Sequence, residues 1–242
     1  MRLVKTIIKN IIFLLGVIFN YNKKSKVLYY HDVHRDDSYT DMSTSIELFK
    51  NHIKAISESG FKVVPSITDE KRQVAIMFDD GFRGIYDCRE YFYANRICPT
   101  VFLAVSLIGQ PGYLTIDEIK ELQDMGFIFQ SHGWRHTDMT SLSAEELKLE
   151  LVEARLKLGE ILGKKINQIC LPIGYFSDGL LNMIEKEGYD DVFSSIPGNY
   201  GDKIFGMRRR NLVQSSSKVQ VSLILKGGMS LISGRYLKLH KR

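Results

Sequence analysis

Asp79 and Asp80 stand side by side at the end of the apolar run VAIMF, immediately before Gly81. Two adjacent carboxylates repel, and burial makes the pair costly unless a cation, a proton or hydrogen bonds offset the repulsion. Further along, the apolar run FIFQ ends in SHGWRH, which places His132 and His136 four positions apart. That spacing sets two imidazoles on one side of a helical turn or tight loop. Neutral imidazole is the commonest metal ligand, and a carboxylate as third ligand leaves an open position for water. Each pair alone has an ordinary reading, the histidines as surface or core residues and FDDG as a turn with a helix cap. Together, at the ends of two expected strands, they form a candidate set of metal ligands and a catalytic base.

The elements that must carry these groups alternate. VLYY at 27–30, KVV at 62–64, VAIMF at 74–78, TVFLAV at 100–105, FIFQ at 127–130, QICL at 168–171 and DVFSSI at 191–196 read as strands. Between them lie helical patterns. Thr44 and Glu47 frame a capping box ahead of Leu48, Phe49, Ile53 and Ile56, with Gly60 as the stop. A helix is expected over 84–95, and Thr115 with Glu118 heads another that ends at Gly126. Ser143 and Glu146 form a third box before Leu147, Leu151, Leu158 and Leu162, and a last helix covers 180–187. Regular alternation predicts an α/β fold with parallel strands and crossover helices, and continuous apolar runs predict strands covered on both faces. The pattern does not separate a barrel from an open sheet, but in both the chemistry sits at the carboxyl ends of the strands. Asp79, Asp80, His132, His136 and Pro172 all occupy that position.

With 242 residues, 44% hydrophobic and 25% charged, the chain is globular in composition. Its net charge of +5 comes mostly from the ends. Arg2, Lys5, Lys9, Lys23, Lys24 and Lys26 lie at one, and Arg235, Lys238, Lys241 and Arg242 at the other. Basic ends beside apolar residues favour an anionic membrane surface, and the absence of a central basic and aromatic stripe argues against nucleic acid. Ile7 to Phe19 is shorter than the ~20 apolar residues needed to span a bilayer. No small-x-small cleavage site follows it, so an uncleaved anchor or an interfacial helix fits better than a signal peptide. A helix packed on the domain is the plain alternative. The tail at 219–239 has a similar character. Cys88, Cys98 and Cys170 lack paired spacing, which argues against disulfides and a thiolate metal site and favours buried free thiols in a reducing compartment. These features divide the chain into a membrane-affine segment at 1–26, one catalytic domain at 27–213 and a basic, apolar tail at 214–242.

FDDG at 78–81, SHGWRH at 131–136 and LPIG at 171–174 resemble the first three signature motifs of the polysaccharide deacetylase family, carbohydrate esterase family four. VLYYHDV at 27–33, PTVFLAV and the stretch from HTDMTSLS into the long helix are also similar, so the resemblance covers residues 27 to 213. It implies a distorted, TIM-like (β/α) barrel of about seven parallel strands. It implies that Asp80, His132 and His136 bind a divalent metal, zinc in most of the family, with cobalt or nickel as alternatives. Asp79 would be the base that deprotonates the metal's water, and the backbone N–H of Ile173 would face the oxyanion. Pro172 and Gly174 would contact the sugar, and Trp134, inside the metal motif, would either stack on a sugar ring or only pack over the ligands. The substrate implied is an N-acetylhexosamine unit of a bacterial surface polysaccharide or its lipid-linked precursor.

Two family features are displaced. The third motif usually carries an arginine and a tyrosine, where this chain has Cys170 and Ile173. The arginine normally pairs with the base, so Arg208, Arg209 or Arg210 must reach in from a late strand if that pairing exists. The histidine that serves as general acid is missing from VSLILKGG, which leaves His31, after the first strand, as the candidate. A catalytically weak carbohydrate-binding relative and an O-acetyl esterase using the same metal site are the competing readings.

Overall fold

The computed structural model describes residues 2–242, with side chains from Thr6 onward, so the side chains of Arg2 and Lys5 lie outside the described residues. A first helix, α1 (Arg2–Asn20), leads into β1 (Lys26–Tyr30), β2 (Asp32–His34) and β3 (Ser43–Ser45). Next come α2 (Ile46–Glu58), β4 (Lys62–Val63), β5 (Gln73–Phe78), α3 (Gly84–Asp87), α4 (Arg89–Ala94) and β6 (Thr100–Leu103). The middle of the chain holds α5 (Ile116–Asp124), β7 (Ile128–Ser131), α6 (Ala144–Lys148) and α7 (Ala154–Leu162). It closes with β8 (Gln168–Cys170), α8 (Asp178–Lys186), β9 (Asp191–Phe193), β10 (Asn211–Leu212), α9 (Lys218–Leu225) and α10 (Ser233–His240).

Seven strands pair in the order β10-β1-β5-β6-β7-β8-β9, every pair parallel, and β4 adds to the start of β5. The sheet curls until its ends meet. Arg208 bridges Phe193 in parallel, with Arg208 N–H donating to the Val192 carbonyl at 2.7 Å, while Asn211 pairs with Leu28. Residues 208–212 thus tie the last strand to the first. This is the distorted (β/α) barrel expected from the motifs.

Strand side chains alternate between faces. Leu28, Tyr30, Val74, Ile76, Phe78, Val101 and Leu103 face the helices in the main core. Val27, Tyr29, Ala75, Met77, Phe102, Cys170 and Phe193 fill the barrel interior. The next inward positions are Asp79 after Met77 and His31 after Tyr29, so sheet periodicity itself aims both toward the barrel mouth.

Several local expectations are corrected. Ser45, not Thr44, caps α2 by accepting from Leu48 N–H, because Thr44 belongs to β3 and its hydroxyl donates to the Gln214 carbonyl at 2.9 Å. The helix expected at 84–95 breaks at Cys88 into α3 and α4. The strand expected through Val105 ends at Leu103 and turns into a single 3₁₀ turn. Between α6 and α7 the helix widens into a π turn at Leu149–Glu153. The boxes at Thr115–Glu118 and Ser143–Glu146 form as expected.

Both ends of the chain pack on the barrel. Phe13 of α1 is buried with Val221, Ile224 and Leu225 of α9 in the main core. A Cβ on Gly16 would collide with the Gly228 carbonyl, so α1 and the 227–229 turn meet backbone to backbone. Gln220 donates to Asn10 at 2.7 Å. Phe13→Ala should therefore cost about 3–5 kcal/mol in urea unfolding. A change below about 1 kcal/mol would show that α1 is an appendage rather than part of the core.

Candidate active site

Asp79 is buried beneath the mouth, 3% exposed, and its carboxylate meets a buried guanidinium in a bidentate pair. Arg210 Nη1 lies 2.6 Å from Asp79 Oδ1 and Nη2 lies 2.8 Å from Oδ2. Arg210 is fully buried, stacked 4.1 Å from the centre of the Tyr29 ring, and it also donates to the Ser194 carbonyl and to Cys170 Sγ. Burial pushes the Asp79 carboxyl up, but the guanidinium outweighs it and holds the group below the ordinary carboxylate range. The arginine missing from the third motif is thus supplied by the segment that closes the barrel. Arg208 pairs instead with Asp191, and Arg209 binds the Pro197 carbonyl. Cys170 occupies the vacated place as a neutral thiol, because burial pushes its pKa well up.

Asp80 turns the other way. Its backbone is left-handed, with φ 72°, which breaks the strand alternation that would send it toward the helices and turns its carboxylate to the histidines at the mouth. Asp80 Oδ1 lies 3.3 Å from His132 Nε2 and 3.0 Å from His136 Nε2. The ligand atoms of the three residues all lie within 4.8 Å of one another. Yet Asp80 Oδ1 makes no well-aligned hydrogen bond among the described residues despite being buried. His132 Nδ1 lies 2.8 Å from the Cys170 carbonyl, so it carries the proton and Nε2 presents a lone pair. Two acceptors facing each other in a buried site are unfavourable without something positive between them. Two imidazole nitrogens, one carboxylate oxygen and an open side fit a catalytic divalent cation.

The loop bearing the histidines is held from beneath. Glu150, fully buried in the π turn, accepts from the Trp134 and Arg135 backbone N–H groups at 2.6 and 3.1 Å and pairs with the Arg135 side chain at 2.8 Å. A Cβ on Gly133 would collide with this carboxylate and with Met139, which explains glycine at φ 78° there. His136 and Ile173 also adopt left-handed backbones, at φ 54° and 61°. For a β-branched residue this conformation is strained, by about 1–3 kcal/mol. Three non-glycine residues with left-handed backbones, Asp80, His136 and Ile173, gather around one mouth, as is typical of functional sites.

A cavity of about 220 Å³ opens above this cluster, lined by Asp79, Asp80, His132, His136, His31, Ile173 and Gly174, with Tyr29, Met42, Leu171 and Ser195. His31 Nδ1 lies 2.7 Å from Gln214 Oε1, which fixes the ring with Nε2 free. Trp134 and Pro172 do not line this cavity. Trp134 is half-buried, with its backbone tied to Glu150, and Pro172 is buried at the start of its loop. Glu150, Gln214, Met42 and Ser195 had no sequence signal. Glu150 reads as one more polar position on an amphipathic helix, and Gln214 falls one residue past the expected domain end. Tyr29 was legible from strand alternation alone.

The sequence profile of the polysaccharide deacetylase family matches residues 66–192, and the chain belongs to that family. YxkH of Bacillus subtilis is 23% identical over 186 residues, 72% of this chain and 66% of the relative. The peptidoglycan-N-acetylmuramic acid deacetylase PdaA of the same organism is 26% identical over 130 residues, 52% of this chain and 48% of its own. The chain spans between about half and two thirds of the length of the curated relatives it matches. The fold matches deacetylase PplD of Streptococcus pyogenes, with TM-score 0.73, 18% identity and coverage of 84% of this chain and 98% of the other. It also matches IcaB from Ammonifex degensii, with TM-score 0.72, 20% identity and coverage of 85% and 98%.

Two outcomes follow from the geometry. Arg210→Met leaves a buried carboxylate without its partner and should cost about 3–5 kcal/mol in denaturant unfolding at neutral pH. Glu150→Gln should weaken zinc binding about 10–100-fold in competition with a chromogenic chelator, since it loosens the loop that presents both histidines. Unchanged zinc affinity would limit Glu150 to a packing role.

Proposed function

We propose that the protein is a metal-dependent hydrolase that removes the acetyl group from N-acetylhexosamine units of a bacterial surface glycan or its lipid-linked precursor. The observation that carries this reading is Asp79, held ionised and oriented by Arg210, directly beside the Asp80–His132–His136 set. Asp80, His132 and His136 would hold a divalent cation, zinc by family resemblance, which when bound lowers the pKa of a water and polarises the amide carbonyl.

The remaining work belongs to the chain's own groups. Asp79 accepts the proton from the attacking water, and its fork with Arg210 fixes the direction of that transfer. Arg210 also keeps the carboxyl ionised inside an apolar barrel, where it would otherwise stay protonated. Ile173 lines the cavity from a left-handed turn, and its backbone N–H is the proposed donor to the developing oxyanion. Here the side chain matters little, which accounts for isoleucine where relatives carry tyrosine. His31, as the doubly protonated imidazolium, is the proposed proton donor to the leaving amine: Nδ1–H stays on Gln214 Oε1 while the Nε2 proton is the one given up, which leaves a neutral ring. At about 220 Å³ the cavity is smaller than a drug-sized pocket and suits the acetamido end of one sugar, the rest lying across the rim.

Acetate release from N-acetylglucosamine oligomers should depend on divalent metal, stop with a chelator and return with zinc. Asp79→Asn should reduce it by about 10²–10⁴-fold or more while zinc content is retained. Wild-type activity in that variant would remove Asp79 from the role of base. Zinc binding without acetate from any N-acetylated glycan would support the carbohydrate-binding reading, and release from O-acetylated glycans alone the esterase reading.

A further inference from the structure

The carboxylates are confined to one stretch of the chain. All 28 Asp and Glu lie between residues 32 and 202, whereas residues 1–31 and 203–242 contain none and hold 16 of the 33 Lys and Arg. The fold brings these two acid-free ends together, because α1 packs against α9 and the turn before α10. The deacetylase barrel is therefore net acidic and carries a strongly basic structure on one side.

That structure also presents apolar surface. On α1, Phe13 and Gly16 face the domain, which leaves Ile7, Ile8, Ile11, Leu14, Leu15 and Ile18 on the opposite face, 40–63% exposed. Phe19 extends the stripe at 71%. Leu231 and Leu239, near and on α10, are also exposed. Between α1 and α10 runs a groove of about 540 Å³ where Lys9 and Arg235 stand among Ile8, Ile12, Tyr236 and Leu239. Lys9, Arg235 and Lys238 have no ion-pair partner among the described residues. An apolar stripe on this scale with a cationic border is the pattern of a helix lying at a lipid interface.

We infer that the α1–α10 face docks in the plane of an anionic bilayer, with the apolar stripe at the headgroup–acyl boundary and the basic residues on the phosphates. Two observations favour lipid over a second copy of the chain. Self-association of this face would oppose two acid-free, cationic surfaces with no carboxylate to pair them. The groove, in turn, is lined mostly by apolar side chains with Lys9 and the exposed Arg235 among them, which matches an acyl chain beside a phosphate. Among the described residues no helix is long and apolar enough to cross a membrane, and Phe13 and Gly16 are committed to the domain. The helix lies on the surface.

The docking face reaches the catalytic mouth. Phe176 N–H donates to the His240 carbonyl at 3.0 Å and Arg242 N–H to the Phe176 carbonyl at 2.9 Å. The 172–176 loop, whose Ile173 and Gly174 line the cavity, is thereby fastened to the end of α10. Docking would hold this rim beside the lipid surface, where a lipid-linked or membrane-proximal glycan is presented. The lipid contact itself does not depend on the catalytic reading.

The test is co-sedimentation of the full chain with vesicles of equal parts phosphatidylglycerol and phosphatidylcholine, and with phosphatidylcholine alone. Partitioning should be about tenfold or more stronger on the anionic vesicles and should fall as salt rises. Ile11→Asp with Leu15→Asp should abolish binding, and Arg235→Glu with Lys238→Glu should remove the anionic preference. All four positions are exposed, so thermal melts should match wild type and separate lost binding from lost fold. Failure of the folded wild type to bind either vesicle would overturn the inference, as would undiminished binding by the apolar double variant. A wild-type dimer that the apolar variant dissociates, with no vesicle binding, would assign the face to a second copy instead.

Discussion

The buried pair between Asp79 and Arg210 is the constraint around which the barrel is arranged. A carboxylate inside an apolar barrel is costly, and so is a lone guanidinium, which cannot shed its charge. Each becomes tolerable only because the other meets it in a planar, two-bond fork. The fork also requires a particular chain path. Arg210 comes from the segment that joins β9 to β1, so the contact that settles the carboxylate draws the two sheet edges together. Tyr29 stacks on the guanidinium and Cys170 stays a neutral thiol beside it, which keeps the count at one anion and one cation. Barrel closure and the orientation of the proposed base are one piece of physics.

Asp80 shows how neighbours in sequence acquire different chemistry. A strand would have sent Asp79 and Asp80 to opposite faces of the sheet, one into the barrel and one toward the helices. The left-handed backbone at Asp80 instead swings its carboxylate round to the two histidines at the mouth. The local strain persists because the surroundings over-determine it. Gly81 continues the turn at φ 81°, and Glu150 anchors the histidine loop through two backbone N–H groups. Glu150 sits in the π turn and accepts from that loop, which agrees with the tendency of such turns to occur at functional sites.

The parts of this arrangement visible in the sequence are those with short range. Apolar runs gave the strands, periodicity gave the helices, and the two short motifs gave the clustered Asp and His residues. Capping boxes at Thr115 and Ser143 were legible because both partners lie within one turn, whereas Thr44 was misread because its strand partner lies elsewhere in the chain. Arg210 was one of three adjacent arginines with equal claims. Only closure of the barrel distinguishes them, sending Arg208 to Asp191, Arg209 to the Pro197 carbonyl and Arg210 inward. Glu150 and Gln214 had no local signature, since their partners are 15 or more residues away and reach them only in the folded chain.

The terminal helices raise a different kind of question, because their sequence was read correctly as apolar and basic yet two uses of that surface compete. Core packing claims one face of α1 through Phe13 and Gly16. A helix of 19 residues offers more apolar surface than that one contact covers, and what remains is a continuous stripe rather than scattered side chains. Stability of the barrel explains the buried side only. It gives no reason for isoleucine, leucine and phenylalanine to be retained on the solvent side, where polar residues would fold as well and aggregate less. Nor does it explain why a chain with 28 carboxylates places none of them in either segment that builds this surface. A partner that is both apolar and anionic accounts for both facts at once, and the fastening of α10 to the 172–176 loop gives such a partner a direct route to the geometry of the catalytic mouth.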